Sequence, residues 1–354
     1  MSLPLPRTRF ERPPGSDAVE PPEAHGVARD GVKLMVATPR GITHRRFADL
    51  GDDLGPGDLL IVNNSATLPA AVEGLRNNAP IAVHFSTALD VHVWVVELRP
   101  AAEATGHLRD VEPGERIVLP DGAALVVISS HPRSGVAGSR LWAARLAVEG
   151  DDTAYLGRHG RPIRYSYVPQ SWPLSSYQTV FGRKPGSAEM ASAARPFSTE
   201  LVTALVASGV VIAPITLHAG VSSAEQGEPP AAEWFEVPAA TARLINVTRV
   251  SGGRVVAVGT TASRAVESAA DPDGTVHPAT GWTDLVLGPD RPPRVVDGLI
   301  TGWHDAGASH LLLLEAIAGP PLVAAAYREA IATGYLWHEF GDSALLLPIA
   351  QRSR

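Results

Sequence analysis

Three groups of polar residues in this chain follow aliphatic runs, and each could hold or transform a small ligand. Asn63-Asn64-Ser65 follows Leu59-Leu60-Ile61-Val62, His218 closes the run that starts at Val210, and Gly259-Thr260-Thr261 follows Val255-Val256-Ala257-Val258. Positions just beyond a strand matter because open α/β sheets bind ligands outside the carboxyl ends of their strands. An Asn side chain both accepts and donates, which suits a ribose or an amino-acid group. A turn capping the strand explains Asn63 and Asn64 more simply, and pattern alone favours it. His218 is a candidate proton carrier, although a histidine at a strand end is more often structural. Gly-Thr-Thr at a helix start offers backbone N–H groups and hydroxyls to an anion such as an amino-acid carboxylate. Arg264 and Glu267 follow on the same helical face, as a recognition pair or as a surface ion pair.

Further along, Asp297 is a charge inside the apolar run Val295-Val296-Asp297-Gly298-Leu299-Ile300, which costs free energy unless it is paired. His304 follows that run, and with Asp305 or Asp342 it could form an acid–base pair. The twelve histidines are scattered and suggest no metal centre. No G-x-G-x-x-G, phosphate-binding loop or G-x-S-x-G elbow is present.

Elements must exist to position these groups. Strands are expected at residues 32–37, 59–62, 210–218, 255–259, 295–301 and 343–347, and helices at 201–206, 239–250, 261–269, 309–318 and 320–333. Ser198 is a plausible N-cap for the first helix and Ser208-Gly209 its stop. Alternating strands and helices give an α/β core with a mixed or parallel sheet, spanning residues 1–66 and 149–354. Residues 67–148 have a different texture. Short runs such as 81–85, 91–96, 116–119, 124–128 and 141–146 are separated by turns, predicting a small inserted antiparallel β-barrel. The first thirty residues, rich in proline and acidic groups, read as an extended arm.

Composition bounds the rest. The 354 residues are 45% hydrophobic, enough for a sizeable core and against global disorder. No cysteine is present, so disulfides, thiolate metal sites and a cysteine nucleophile are excluded. No signal peptide or membrane-length apolar run is seen, and the cytoplasm is the expected compartment. The net charge of -7 does not advertise a nucleic-acid binder, although Arg158, Arg161 and Arg164 form a local basic patch.

Several segments, in order, resemble the S-adenosylmethionine:tRNA ribosyltransferase-isomerase family of queuosine biosynthesis. They include residues 56–65, Tyr177-Gln178-Thr179-Val180-Phe181, Lys184-Pro185-Gly186, residues 215–220, and residues 256–261 with Arg264 and Glu267. Gly281-Trp282-Thr283-Asp284, Asp297, His304, Tyr327 and Phe340-Gly341-Asp342 complete the series. The resemblance implies S-adenosylmethionine as a ribosyl donor, with no metal, and tRNA carrying an aminomethyl-deazaguanine as acceptor. It implies epoxyqueuosine formation with release of adenine and methionine. A sulfonium acidifies the neighbouring C5′ hydrogens, so a modest base suffices, and methionine leaves as a neutral group. Ligand roles are expected for Asn63, Asn64, Gly259, Thr260, Thr261, Arg264, Glu267 and Asp297, with Tyr177 and Gln178 close to the acceptor. His304, Asp342 and His218 are the acid–base candidates.

The chain departs from the family pattern at a few places. Ala191-Ser192-Ala193-Ala194-Arg195-Pro196-Phe197 has Pro196 where the family carries histidine. Ala66 and Ala71 replace two arginines, and the stretch 221–236 is shortened and lacks the family's histidines. These replacements leave two alternatives to the family reaction: S-adenosylmethionine chemistry on a small-molecule acceptor, or a relative that only binds the ligand.

Overall fold

The computed structural model describes residues 4–101, 106–132, 139–221 and 231–348. Its centre is built from the unbroken aliphatic runs, which suit strands buried on both faces. In sheet order, Val211–Leu217, Leu59–Asn63, Val255–Val258 and Gly298–Thr301 lie side by side and parallel. Ser343–Leu346 joins antiparallel to Gly298–Thr301, and the hairpin of Lys33–Thr38 and Gly41–Arg46 completes that edge. Glu233–Val237 and Ala279–Thr283 extend the opposite edge, giving a mixed sheet of nine strands.

Alternation along each strand divides two cores. Leu59, Ile61, Ile215, Ala257 and Leu299 face the helices Ala239–Val250, Thr260–Ser268, Ser309–Ala318 and Pro320–Ala332. Leu60, Val62, Val256, Val258 and Ile300 face Phe47, Phe197, Leu201 and Leu205 on the other side. Each fully buried Leu or Ile in these layers contributes about 1.5–3 kcal/mol. Ser198 caps the helix Thr199–Ala207, its hydroxyl accepting from Leu201 N at 3.1 Å.

The inserted unit is a closed antiparallel barrel. Ala71–Arg76, Ala79–Asp90, Val93–Pro100, Leu141–Ala147, Ala124–His131 and Arg116–Val118 pair in that order. Leu75 pairs with Val118 to close it, so no edge is left open. Phe85, Trp94, Leu98 and Trp142 fill a separate core. Asn77 and Asn78, both at positive φ, form the two-residue turn of the first hairpin.

Four local expectations change. Residues 91–92 are a turn, with His92 at φ 57, and the strand begins at Val93. Residues 295–296 are not strand, because their N–H groups turn to a buried carboxylate described below. Ser65–Thr67, after the abrupt strand end at Asn63, pairs in parallel with Lys184–Ser187. The helix Asp152–His159, capped by Asp151, carries no obvious apolar run and was not expected. The arm is laid down along the core: the Glu315 carboxylate accepts from Thr8 N at 2.6 Å and Thr8 Oγ1 at 2.7 Å, while Phe10 packs on Tyr327 and Trp337. Of the shortened stretch 221–236, residues 222–230 lie outside the described residues.

Candidate functional site

Four adjacent parallel strands end at one edge of the sheet. Asn63, His218, Gly259 and the turn from Thr301 to His304 therefore gather there. Asn63 is fully buried and links the strands. Its Oδ1 accepts from Ser65 N and Leu217 N, both at 3.0 Å, and its Nδ2 donates to Leu217 O at 2.8 Å and Thr261 Oγ1 at 3.3 Å. That uses the whole capacity of an amide side chain. Asn63 is thus placed to orient Thr261, whose hydroxyl proton it leaves available. Asn64 Oδ1 accepts from Thr216 Oγ1 at 2.7 Å.

His218 occupies a tightly built seat. Its ring stacks on Trp234 with centroids 5.1 Å apart, and a Cβ on Gly186 would fall within 2.4–2.7 Å of its ring. Nδ1 lies 2.8 Å from Ser65 Oγ, which lies 2.6 Å from Ser187 Oγ, which accepts from Ala219 N at 3.0 Å. Burial, reinforced by the Lys184 charge, pushes the imidazole down to about 4. His218 is therefore neutral at pH 7 and joined to a hydroxyl relay.

Gly259 turns the strand into the helix Thr260–Ser268 at φ 91, a conformation that favours glycine. No side chain caps this end, so the first-turn N–H groups and the positive end of the helix dipole face the edge where the strands end. Arg264 and Glu267 serve the scaffold around that helix. Arg264 pairs with Glu233 and donates to Leu285 O at 3.0 Å and Thr283 O at 3.1 Å. Glu267 Oε1 accepts from Arg294 N, Val295 N and Val296 N at 2.9–3.0 Å. Their expected mutual pairing does not form, because each finds its partner on another element. Asp297 lies at the start of its strand, about 13 Å from the strand end at 3.3 Å per residue, and accepts from Val255 N at 3.0 Å. That distance separates it from the strand ends.

His304 lies 3.0 Å from Thr301 Oγ1 and stacks on His310 at 4.5 Å, with the two rings nearly parallel. The Thr301 hydroxyl donates to Gly302 O at 3.1 Å. Burial pushes His304 well below the ordinary histidine value, with His310 adding to it. Burial, with Arg264 nearby, brings His310 down to about 4. Neither expected carboxylate pairs with His304. Asp305 binds Arg12 at 3.2 Å, and Asp342 accepts from Lys33 N at 2.7 Å and Leu336 N at 2.8 Å. Sequence reasoning missed His310 and the arm residues Arg12 and Asp17. Asp17 pairs with His338 at 2.9 Å, and His338 stacks on Tyr167 at 4.1 Å.

Tyr177 is buried against Phe340, and its carbonyl accepts from Thr67 Oγ1 at 2.8 Å. Gln178 clamps Thr67 from both sides, accepting from its N at 3.0 Å and donating to its O at 2.7 Å. Beside them opens a cleft of about 570 Å³ between barrel and core. A hollow of about 340 Å³ at Asn246, Arg249 and Thr275 lies at the opposite edge of the sheet, remote from these groups. Among the described residues no cluster of side chains suits a metal ion.

The fold is an α/β core with a β-barrel beside it, and the strand ends are its candidate ligand-binding edge. The chain belongs to the family described as queuosine biosynthesis protein, which matches residues 6–346. It is 36% identical to the S-adenosylmethionine:tRNA ribosyltransferase-isomerase of Symbiobacterium thermophilum, over 90% of this chain and 94% of that protein. The enzyme of the same name from Moorella thermoacetica is 34% identical, covering 96% of this chain and 98% of its own. The crystal structure of the S-adenosylmethionine tRNA ribosyltransferase from Thermotoga maritima superposes with a TM-score of 0.52 at 28% identity, covering 96% and 99% of the two chains.

Proposed function

We propose that this protein transfers and isomerises the ribosyl moiety of S-adenosylmethionine onto the aminomethyl-deazaguanine of tRNA, releasing adenine and methionine. The observation that carries this reading is the end-to-end likeness to enzymes of that name. A small-molecule acceptor, or a relative that only binds, has no comparable support. The reacting part is assigned to the core of residues 1–66 and 149–354, with the barrel of 67–148 beside it; Tyr155, Leu156 and Ile163 pack into the barrel and Gly160–Arg161 pairs with its first strand. The cytoplasm, where tRNA is modified, is the compartment this reading requires.

The crevice suits a sulfonium nucleoside with an amino-acid tail. An uncapped helix start at Gly259 and Thr260 can take the tail carboxylate, with the Thr261 hydroxyl directed by Asn63. The histidines on either side are neutral, so they hold lone pairs without repelling a cationic sulfur. His218 and His304 are three strand spacings apart, about 14 Å, and so serve different ends of the ligand. The reaction calls for a base that takes a proton from C5′, and the neutral His218 and His304 are assigned as its candidates; the proton that departing adenine needs is the one that base has taken. Arg264, Glu267 and Asp342 are assigned to hold the frame, Asn64 to brace the strand end, and Tyr177 and Gln178 to hold Thr67 beside the acceptor.

The test is incubation of the purified protein with S-adenosylmethionine, with and without the precursor tRNA, followed by chromatography for adenine. Release that requires the tRNA is expected, and His304→Ala should lower it at least tenfold. Release that is indifferent to tRNA contradicts the acceptor assignment, and normal turnover in His304→Ala removes that residue from the chemistry.

A further inference from the structure

The cleft between barrel and core adjoins the seat of His218. Ala66 and Pro185 pair with each other in the short parallel ladder and both line the cleft, while Gly186, the next residue, backs onto the His218 ring. The remaining walls are mostly apolar and low, with Leu68, Pro162 and Gly157 among them. Trp172 also lines the cleft, as does the half-buried Arg161.

An indole in the wall of an apolar cleft, with a guanidinium among the lining groups, suits an unstacked nucleobase. Such a base stacks on an indole, presents ring nitrogens and carbonyls at its edge, and brings a phosphate with it. We infer that this cleft holds one splayed base of the acceptor RNA strand, stacked against Trp172, with the adjoining phosphate at Arg161. This inference rests on the reading of tRNA as acceptor, and it places the RNA strand directly beside His218 and Ser65.

The test uses the full chain and precursor tRNA, with affinity measured across a salt series. Gly157 offers a variant that fills the cleft without strain, because a Cβ there meets no atom within 4 Å. Gly157→Leu and Trp172→Leu are each expected to weaken tRNA binding about tenfold or more, leaving S-adenosylmethionine affinity unchanged. Gly157→Leu should also melt no lower than the wild type, since leucine is the better helix former. Arg161→Gln should shallow the logarithmic salt slope by about one. Wild-type tRNA affinity in Gly157→Leu overturns the inference, as does a parallel loss of S-adenosylmethionine affinity. If the wild type releases adenine only with tRNA while the cleft variants bind tRNA normally, the cleft assignment alone fails. If the wild type shows no tRNA-dependent release, the functional reading fails with it.

Discussion

Gly186 has no side chain, and the imidazole of His218 sits where one would begin. Gly186→Ala should therefore push the ring off Ser65 and Trp234. We expect turnover to fall at least tenfold with a small change in melting temperature, as follows from moving a reacting group by about 1 Å. Wild-type turnover in Gly186→Ala would show that the seat is not required. Histidine burial also predicts a pH response. His84, His218 and His310 are held at about 4 by burial, against 6.5 for a free side chain. Between those values the unfolded chain takes up protons that the folded sites refuse, so stability falls as the pH drops from 6.5 towards 4. The slope is about 1.4 kcal/mol per pH unit for each such histidine. Urea titrations at pH 7, 6 and 5 should show that slope, and His84→Gln should flatten it. An unchanged slope in that variant would mean His84 titrates normally.

At the scale of elements, the helix Thr260–Ser268 is held by two charged side chains that reach outward to other segments. Glu267 gathers three consecutive backbone N–H groups, bending Val295 and Val296 away from the strand their β-branched side chains suggest. Glu267→Ala leaves those donors without an acceptor and should cost at least about 3 kcal/mol, whereas Glu267→Gln keeps one oxygen and should cost less. Equal effects of the two in urea denaturation would contradict this role. The same helix shows what was legible beforehand. Aliphatic runs fixed the four parallel strands, and the Ser198 cap and the Gly259 turn could be placed from residue type alone. The partners of Arg264, Glu267, Asp297 and Asp342 could not, because they lie on segments brought together only by the tertiary fold. His310 escaped notice for a similar reason: it stacks on His304 only after a turn and the start of a helix. Ser65–Thr67 was hidden because its partner strand lies more than a hundred residues away.

At the scale of the whole molecule, the N-terminal arm joins elements that are distant in sequence. Thr8 satisfies the carboxylate of Glu315, a residue only 8% exposed, and Arg12 bridges to Asp305 beside His304. Deleting residues 2–12 should destabilise the protein by about 3 kcal/mol or more, by stranding a buried carboxylate, and should lower activity as well. Thermal melting and turnover of the deletion variant check both effects, and an unaltered melting curve would show that the arm is dispensable. The barrel and the sheet keep separate cores but share the cleft, so the account depends on RNA and S-adenosylmethionine meeting at their junction. The most direct measurement is to supply S-adenosylmethionine labelled in its ribose to the protein with precursor tRNA, and to count label in the purified tRNA. One labelled ribosyl unit in the tRNA for each adenine released is the expected result. Adenine released with no label in the tRNA would contradict it.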